Sequence, residues 1–319
     1  MKLCSFEIAT QVGRQQRLGA VTERGIVDLN FSYASLLASQ GEPRPQKVAD
    51  VMLPANMLEF LQAGSQSRAE LAVAAISDRG PNDETLVYNP GDVRLLTPLP
   101  NPASVRDFYA FEAHVKKGFE KRGEEMPREW YEMPVYYKSG HNHIIGTDAD
   151  VVWPSFTEKF DYELELAAVI GKRGRNIPAA QAREYIAGYM VMNDFSARDI
   201  QRKEMRVRLG PAKGKDWCTA FGPYLVTASE IGDPYNLDMT ARINGELWSE
   251  GNSGSIYWKF EQMIEFLTRD DEIVPGDVIG SGTVGTGCGL ELDRWVQPGD
   301  VMELEIARVG VLRNRVVRP

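Results

Sequence analysis

The sequence predicts an α+β protein in which strands dominate, with a small β-rich domain at residues 1–96 and a larger domain at residues 97–319. Two observations predict this class: short segments of alternating polarity recur between glycine- and proline-rich turns, and helical patterns are few. The strands are too short for a doubly wound nucleotide-binding fold, and neither a GxGxxG motif nor a phosphate-binding loop occurs. The segment 97–102, TPLPNP, disfavours helix and central strand alike and is the predicted linker.

The N-terminal domain is predicted to combine a β-meander with helices. Residues 3–8, 17–21 and 25–29 alternate apolar with polar side chains, which is typical of short strands. Residues 33–39 and 57–76 repeat apolar side chains at intervals of three and four, which is typical of amphipathic helices.

The second domain begins with a helical pattern at residues 108–123, where basic side chains in the last turns precede a glycine. After residue 134 the pattern changes to strands separated by turns. One strand is predicted at residues 238–243 before an Asn-Gly turn, and another at residues 301–308 after a Pro-Gly-Asp turn. We therefore expect a mixed, mostly β domain.

Composition narrows the class of partner. The net charge of −9 argues against nucleic acid or an anionic membrane surface as the main partner. The sequence has no apolar run long enough to span a membrane, and its start lacks the apolar core of a signal peptide. Three widely separated cysteines, without CxxC spacing, predict reduced thiols and a cytoplasmic protein.

Acidic side chains enter an apolar segment, FDYELELAAVI, that reads as a strand. Asp161, Glu163 and Glu165 would share one face of it. Carboxylates there need solvent, protons or cations, so a solvated edge and a metal site are both compatible with this segment. Asp194 follows a second apolar segment at residues 185–193. Three carboxylates without nearby cysteine or histidine suit Mg²⁺, Mn²⁺ or Ca²⁺ rather than Zn²⁺.

Histidine is scarce, because the chain has only three, and His114 lies in the predicted helix 108–123. Asp107 precedes it by seven residues, so the two would share a helical face if the helix began that early. A lone helical histidine is also compatible with a surface or capping role. His141 and His143 lie in a predicted loop and receive no role.

Several short motifs, taken in order, resemble the fumarylacetoacetate hydrolase family. They are DFY (107–109) with His114, DYELEL (161–166), NDFSARDIQ (193–201), LGP (209–211), GK (214–215) and GSGT (280–283). Each motif is short, but their shared order is specific. The resemblance implies a mixed β-roll fold, a homodimer, a divalent metal ion and chemistry on a small-molecule oxo acid. The N-terminal unit resembles the small β domain that precedes this fold in fumarylacetoacetase.

The resemblance also implies roles for individual residues. The metal ligands fall on Asp107, Glu163, Glu165 and Asp194, for Mg²⁺ or alternatively Mn²⁺ or Ca²⁺, whereas Asp161 matches an acid that is not usually a ligand. The water-activating base falls on His114 and its carboxylate partner on Glu291. Residues that hold substrate and stabilise negative charge fall on Arg198, Gln201 and Lys215, and further substrate contacts on Tyr109, Tyr137 and Thr283.

These roles predict a metal-dependent hydrolase that cleaves a C–C bond in a 2,4-dioxo acid by means of a His-Glu-activated water. A second branch of the family, the short acylpyruvases and oxaloacetate decarboxylases, has glutamate three residues after the histidine, where this chain has Lys117. We therefore expect the chain to be closer to the fumarylacetoacetase-type hydrolases. The alternatives are a decarboxylase, hydratase or isomerase that acts on a 2-oxo acid through a metal-bound enolate, and a non-catalytic, metal-stabilised binding protein.

Overall fold

A computed structural model describes residues 1–78 and 86–319 and confirms the predicted class, a mixed fold in which strands dominate. The strands are β1 (Lys2–Thr10), β2 (Gly13–Thr22), β3 (Gly25–Asp28), β4 (Val87–Tyr88), β5 (Arg94–Leu95), β6 (Ser104–Phe108), β7 (Tyr136–Ser139), β8 (Ile144–Ile145), β9 (Asp150–Val152), β10 (Phe160–Asp161), β11 (Leu164–Ile170), β12 (Gly174–Arg175), β13 (Ile186–Asn193), β14 (Ser196–Ala197), β15 (Thr219–Thr227), β16 (Asp238–Ile243), β17 (Glu246–Asn252), β18 (Glu272–Ile273), β19 (Asp277–Gly280), β20 (Val301–Ile306) and β21 (Gly310–Val317). The α-helices are α1 (Leu29–Ser39), α2 (Pro45–Met52), α3 (Met57–Gln62), α4 (Gln66–Ser77), α5 (Glu112–Arg122), α6 (Arg198–Val207), α7 (Ala228–Ile231), α8 (Phe260–Leu267) and α9 (Gly289–Leu292). Short 3₁₀ helices span Pro90–Asp92, Arg128–Tyr131, Ala179–Tyr185 and Ser253–Ser255.

Two sheets organise the described part of the chain. The larger sheet has the strand order β4-β3-β2-β1-β15-β13-β11-β19-β6-β7, with β5 on β1 and β8 on β15. The second sheet has the order β17-β16-β20-β21-β9, and the pairs β10–β14 and β12–β18 complete the strands.

Strand β11 separates two hydrophobic layers because its side chains alternate between the faces of the larger sheet. Leu164 and Leu166 pack in one cluster with Leu304 of the second sheet. Ala167 packs in another cluster with Phe60 of helix α3. Each buried side chain of the size of leucine contributes about 1.5–3 kcal/mol by leaving water. All seven residues of β11 are buried, so the acidic residues of this segment lie at the start of a fully buried strand.

The N-terminal meander and the helix that follows it are confirmed by β1–β3 and α1. The helix predicted at residues 57–76 is divided into α3 and α4, since Gly64 adopts a left-handed conformation (φ 58°) that ends α3. Strand β1 pairs with β15 through Lys2 and Leu3, so the larger sheet continues from the meander into the second region. The domain boundary at residues 96 and 97 stays a prediction.

The helix predicted from residue 108 begins later, at Glu112, and the prediction that Asp107 and His114 share a helical face was wrong. Residues Ser104–Phe108 form β6, which pairs in parallel with β19. Pairing in the central sheet and complete burial of Val105 outweigh the local helical spacing.

The remaining sequence-predicted elements agree closely with the structure. The acidic segment forms β10 and β11 with a short break between them, and the following apolar segment forms β13. The strands predicted near residues 238 and 301 are β16 and β20. All three cysteines are free and buried. Among the described helices, none is long and apolar enough to cross a membrane.

Candidate active site and metal centre

Four buried carboxylates meet where neighbouring strands of the larger sheet end. Asp107 lies on β6, Glu165 on β11 and Asp194 directly after β13, while Glu163 lies between β10 and β11 and forms an isolated bridge with Cys288. Strand β19 lies between β6 and β11, and β13 flanks β11 on its other side. Ligand atoms of the four carboxylates all lie within 4.8 Å of one another. The structure thus brings together the four residues for which a metal role was predicted.

The electrostatics of this cluster fit a cation. Burial, followed by repulsion from neighbouring carboxylates, raises the pKa of Asp107 and of Glu165 well above their usual range. Asp194 Oδ1 is buried without a hydrogen-bond partner among the described residues. An orphaned carboxylate oxygen beside crowded acids is a position that a divalent cation would satisfy. The all-oxygen donor set suits a hard ion such as Mg²⁺ or Mn²⁺.

Two cations border the same cluster. Lys215 contacts carboxylate oxygens of both Glu163 and Asp194, and its ammonium is almost fully buried. Arg198, at the start of α6, donates from Nη2 to Glu163 at 2.7 Å and from Nη1 to the amide oxygen of Gln201 at 3.1 Å. Burial opposes ionisation of Glu163, but Lys215 and Arg198 outweigh it and lower the pKa of this carboxyl group. Of the three residues predicted to stabilise negative charge, Arg198 and Lys215 therefore contact the carboxylate cluster directly, and Gln201 contacts Arg198.

Asp161, which the sequence analysis left without a role, fixes this arrangement. It is completely buried and accepts hydrogen bonds from Arg198 Nε at 2.8 Å and from the backbone N–H groups of Gly289 at 2.8 Å and Leu290 at 3.0 Å. Because Glu291 follows directly on α9, one carboxylate connects Arg198 with the segment that carries Glu291. The shared alternation with Glu163 and Glu165 was the signal in the sequence that could have identified it.

His114 and Glu291 form a buried pair beside the cluster. His114 Nδ1 lies 2.5 Å from Glu291 Oε1, and the backbone N–H of Thr286 donates to Glu291 Oε2 at 2.9 Å. Burial opposes ionisation of Glu291, but the hydrogen bond and the charge of His114 hold its pKa below the usual value. The pKa of Glu163 is also lowered by His114, so the two groups of residues interact electrostatically. The predicted partnership of base and carboxylate is thus formed between residues 177 positions apart.

The three predicted substrate contacts also lie against these groups. The ring of Tyr109 meets the ring of His114 edge-on at 5.3 Å between centroids. The Tyr137 hydroxyl donates to Asp194, and Thr283 Oγ1 donates to Glu165 Oε1 at 3.4 Å.

A cavity of about 380 Å³ opens beside the pair. Its lining includes Ala113 and Lys117 of α5, Gly251, the loop 284–286 and Glu291. His141 and His143 are exposed, as expected of loop residues. Glu291 therefore lies in the cavity lining and also contacts His114.

A comparison with protein families matches the C-terminal domain of fumarylacetoacetate (FAA) hydrolase to residues 103–317, and the chain belongs to this family. Oxaloacetate tautomerase YisK of Bacillus subtilis is 31% identical over 271 residues, which cover 83% of this chain and 87% of that protein. The human mitochondrial oxaloacetate tautomerase FAHD2A is 30% identical over 319 residues, which cover 99% and 92%. A solved structure of fumarylpyruvate hydrolase from Pseudomonas aeruginosa, in complex with Mn²⁺ and pyruvate, is similar with a TM-score of 0.61 and 26% identity, covering 71% of this chain and 92% of that one.

The family prediction is confirmed, but the expected closeness to fumarylacetoacetase-type hydrolases was wrong, since relatives with 30–31% identity over most of their length are named oxaloacetate tautomerases. That expectation relied on Lys117, whose side chain is 47% exposed and pairs with Glu120 at 3.3 Å. The carboxylate that contacts His114 comes instead from Glu291 on another element.

Proposed function

We propose that the protein is a metal-dependent tautomerase that interconverts the keto and enol forms of a short 2-oxo dicarboxylic acid such as oxaloacetate. The observation that carries this proposal is the contact of 2.5 Å between His114 Nδ1 and Glu291 Oε1, formed beside four clustered carboxylates. A base next to a cation site is what proton transfer at a carbon adjacent to a carbonyl requires. The two oxaloacetate tautomerases among the relatives support the same reaction.

Proton transfer is assigned to the second ring nitrogen of His114. The carboxylate of Glu291 accepts the Nδ1 hydrogen and fixes the tautomer in which Nε2 can act as a base. Nε2 takes a proton from the carbon next to the keto group, the C–H electron pair becomes the C=C bond, and the carbonyl π pair moves to oxygen. Protonation of that oxygen and release of the proton from the imidazolium complete the isomerisation. No co-reactant is consumed.

Negative charge on the substrate oxygen is stabilised by the adjacent cations. Lys215 and Arg198 are both buried, and a buried donor of this kind is worth about 3–4 kcal/mol in the transition state. Asp107, Glu163, Glu165 and Asp194 would hold a divalent cation, most simply Mg²⁺. When bound, that cation would polarise the carbonyl and reduce the cost of placing negative charge on its oxygen.

Hydrolysis of a C–C bond in a 2,4-dioxo acid is the second candidate, because the same histidine can take a proton from water. Water would add to the carbonyl carbon, the adjacent C–C bond would break, and the departing carbon would be protonated to give two acids. The similar structure of a fumarylpyruvate hydrolase supports this reaction. The predicted homodimer also stays a proposal, and its molar mass in solution would test it.

The deciding experiment follows three reactions of the Mg²⁺-loaded protein. Enol decay of oxaloacetate is read by ultraviolet absorbance, decarboxylation by pyruvate formation, and hydrolysis by the two acids released from acetylpyruvate and fumarylpyruvate. We expect enol decay well above the spontaneous rate, and a loss of about 10²–10⁴-fold in His114→Ala. His141→Ala, which changes an exposed loop histidine, is the control. Cleavage of acylpyruvates without enol decay would favour the hydrolase, and unchanged activity of His114→Ala would exclude this histidine as the base.

A further inference from the structure

We infer that Lys117 binds the distal carboxylate of a dicarboxylic substrate and thereby selects acids with a second charge. This inference rests on the proposed function, because it assigns a substrate class to the same site. Among the described residues that line the cavity beside Glu291, Lys117 is the one with a cationic side chain. The carboxylate of Glu291 lies in the same lining, so an anionic substrate needs a positive charge to offset its repulsion.

The ammonium of Lys117 is available for such a contact. Its partner in the free protein is Glu120 at 3.3 Å, and the side chains of Lys117 and Glu120 are 47% and 66% exposed. Exposed pairs of this kind are weak and are exchanged easily. The neighbouring lysines of α5 have closer partners, since Lys116 lies 2.8 Å from Glu112 and Lys121 lies 2.6 Å from Asp293.

The position of Lys117 on α5 fits a short diacid. His114 and Lys117 are three residues apart, so they share one face of the helix, with about 5–6 Å between their Cβ atoms. A carboxylate bound by Lys117 is therefore close to the carbon from which His114 takes a proton. In an oxaloacetate-like substrate that carbon carries the distal carboxylate directly, and the helix register matches this arrangement.

Small residues create the space between the helix and the opposite loop. An added Cβ at Gly285 would lie 3.0 Å from Cβ of Ala113, and one at Gly251 would lie 2.7 Å from the side chain of Val284. The side chains of Ala113 and Val284 provide apolar walls on the two sides of this space. The cavity thus combines a narrow apolar wall with one cation.

The test compares an acid-tailed and a neutral-tailed substrate in matched variants. Lys117→Met should lower kcat/KM for oxaloacetate about tenfold, mainly through KM, because one charge-assisted hydrogen bond is lost. For the 4-ethyl ester of oxaloacetate, which lacks the distal charge, the same substitution should change kcat/KM less than about twofold. Lys117→Arg should restore the preference for the diacid, and Lys116→Met, on the same helix but outside the cavity lining, should behave as wild type.

Salt gives an independent readout. High ionic strength should raise the KM of wild type for oxaloacetate but leave that of Lys117→Met nearly constant. An equal loss of kcat/KM on diacid and ester in Lys117→Met, or the same effect in Lys116→Met, would overturn the inference. If the wild type does not accelerate enol decay, the proposed function fails separately. In that case the same variants are compared in the hydrolysis of fumarylpyruvate, which has a distal carboxylate, and of acetylpyruvate, which has none.

Discussion

Asp161 shows how much one buried side chain can control in this site. Its carboxylate binds the guanidinium of Arg198 and two backbone N–H groups at the start of α9. Arg198 in turn holds Glu163, and α9 carries Glu291. A change at Asp161 therefore affects both the carboxylate cluster and the pair of His114 and Glu291.

Asp161→Asn should damage stability and catalysis together. Removing one partner of a buried ion pair leaves Arg198 less well compensated, and we expect the free energy of unfolding to fall by about 3–5 kcal/mol. Urea unfolding of this variant and of Asp271→Asn, which changes an exposed aspartate, checks the magnitude. Among molecules that stay folded, kcat should fall because the amide group of asparagine cannot accept the same hydrogen bonds. An Asp161→Asn protein with wild-type stability would show that the ion pair between Asp161 and Arg198 does not stabilise the fold.

Comparing the stability of Glu291→Gln and wild type at different pH values should show how much the charge on Glu291 contributes. The pKa of Glu291 is below its usual 4.5 in the folded protein, so its pairing with His114 stabilises the fold above pH 4.5 and is lost as pH falls through the lower, folded-state value. We expect the variant to be less stable than wild type by about 1.5 kcal/mol at pH 7, with the gap closing as pH falls below 4.5. Urea unfolding at pH 7 and at a series of pH values below 4.5 is the measurement. A gap that is constant over pH would mean that the charge of Glu291 contributes nothing.

Strand β19 sets the distance between the carboxylates of Asp107 and Glu165. It lies between β6 and β11, and Gly280 at its end is opposite Asp107 on one side and Ala167 on the other. A Cβ at this position would overlap Asp107 Oδ1 and lie 3.1 Å from Glu165 Oε2. Glycine is therefore required here by the close approach of two carboxylates, not by an unusual backbone angle.

Gly280→Ala should weaken metal binding with little effect on the rest of the fold. Displacing Asp107 and Glu165 changes the ligand geometry, and changes of this kind typically cost about 10–100-fold in metal affinity. Calorimetric titration with Mn²⁺ measures the loss. Gly91→Ala is the matched control, since no heavy atom lies within 4 Å of its added Cβ and its φ is not positive. Unchanged Mn²⁺ affinity in Gly280→Ala would show that Asp107 and Glu165 do not bind the metal ion.

For the protein as a whole, we expect stability to depend on the binding of a divalent cation. Four carboxylates are buried together and repel one another, and Lys215 directly neutralises only Glu163 and Asp194. An ion that binds the folded state offsets this repulsion and shifts the folding equilibrium, by about 2.7 kcal/mol when its concentration is a hundred times its Kd.

Chelation should therefore lower the thermal midpoint, and Mg²⁺ or Mn²⁺ should restore it. Differential scanning calorimetry with and without a chelator measures the shift, and KCl at equal ionic strength is the control for screening. Asp194→Asn should respond less to Mg²⁺, since it loses the carboxylate whose Oδ1 has no partner among the described residues. A midpoint that responds equally to KCl and MgCl₂ would argue against a specific site.

Local patterns in the sequence were sufficient to predict part of the site. The shared face of Glu163 and Glu165 follows from the two-residue period of a strand, and the adjacent apolar residues predict burial, so these two members of the carboxylate cluster could be predicted without a structure. The meander and the β-dominated class follow from the same local patterns. Asp194 was indicated by its place after a second apolar segment, and His114 by the scarcity of histidine. The resemblance to the family supplied their roles and the other site residues.

The way in which these segments combine depends on long-range pairing and could not be predicted from local patterns. Local spacing favoured a helix from residue 108, but pairing with β19 made Asp107 and Phe108 part of a strand and brought Asp107 to Glu165. The contact between His114 and Glu291 joins α5 to α9, and the role of Asp161 depends on α6 and α9 together. Strand pairing and long-range side-chain contacts involve residues far apart in the chain, so no local period encodes them.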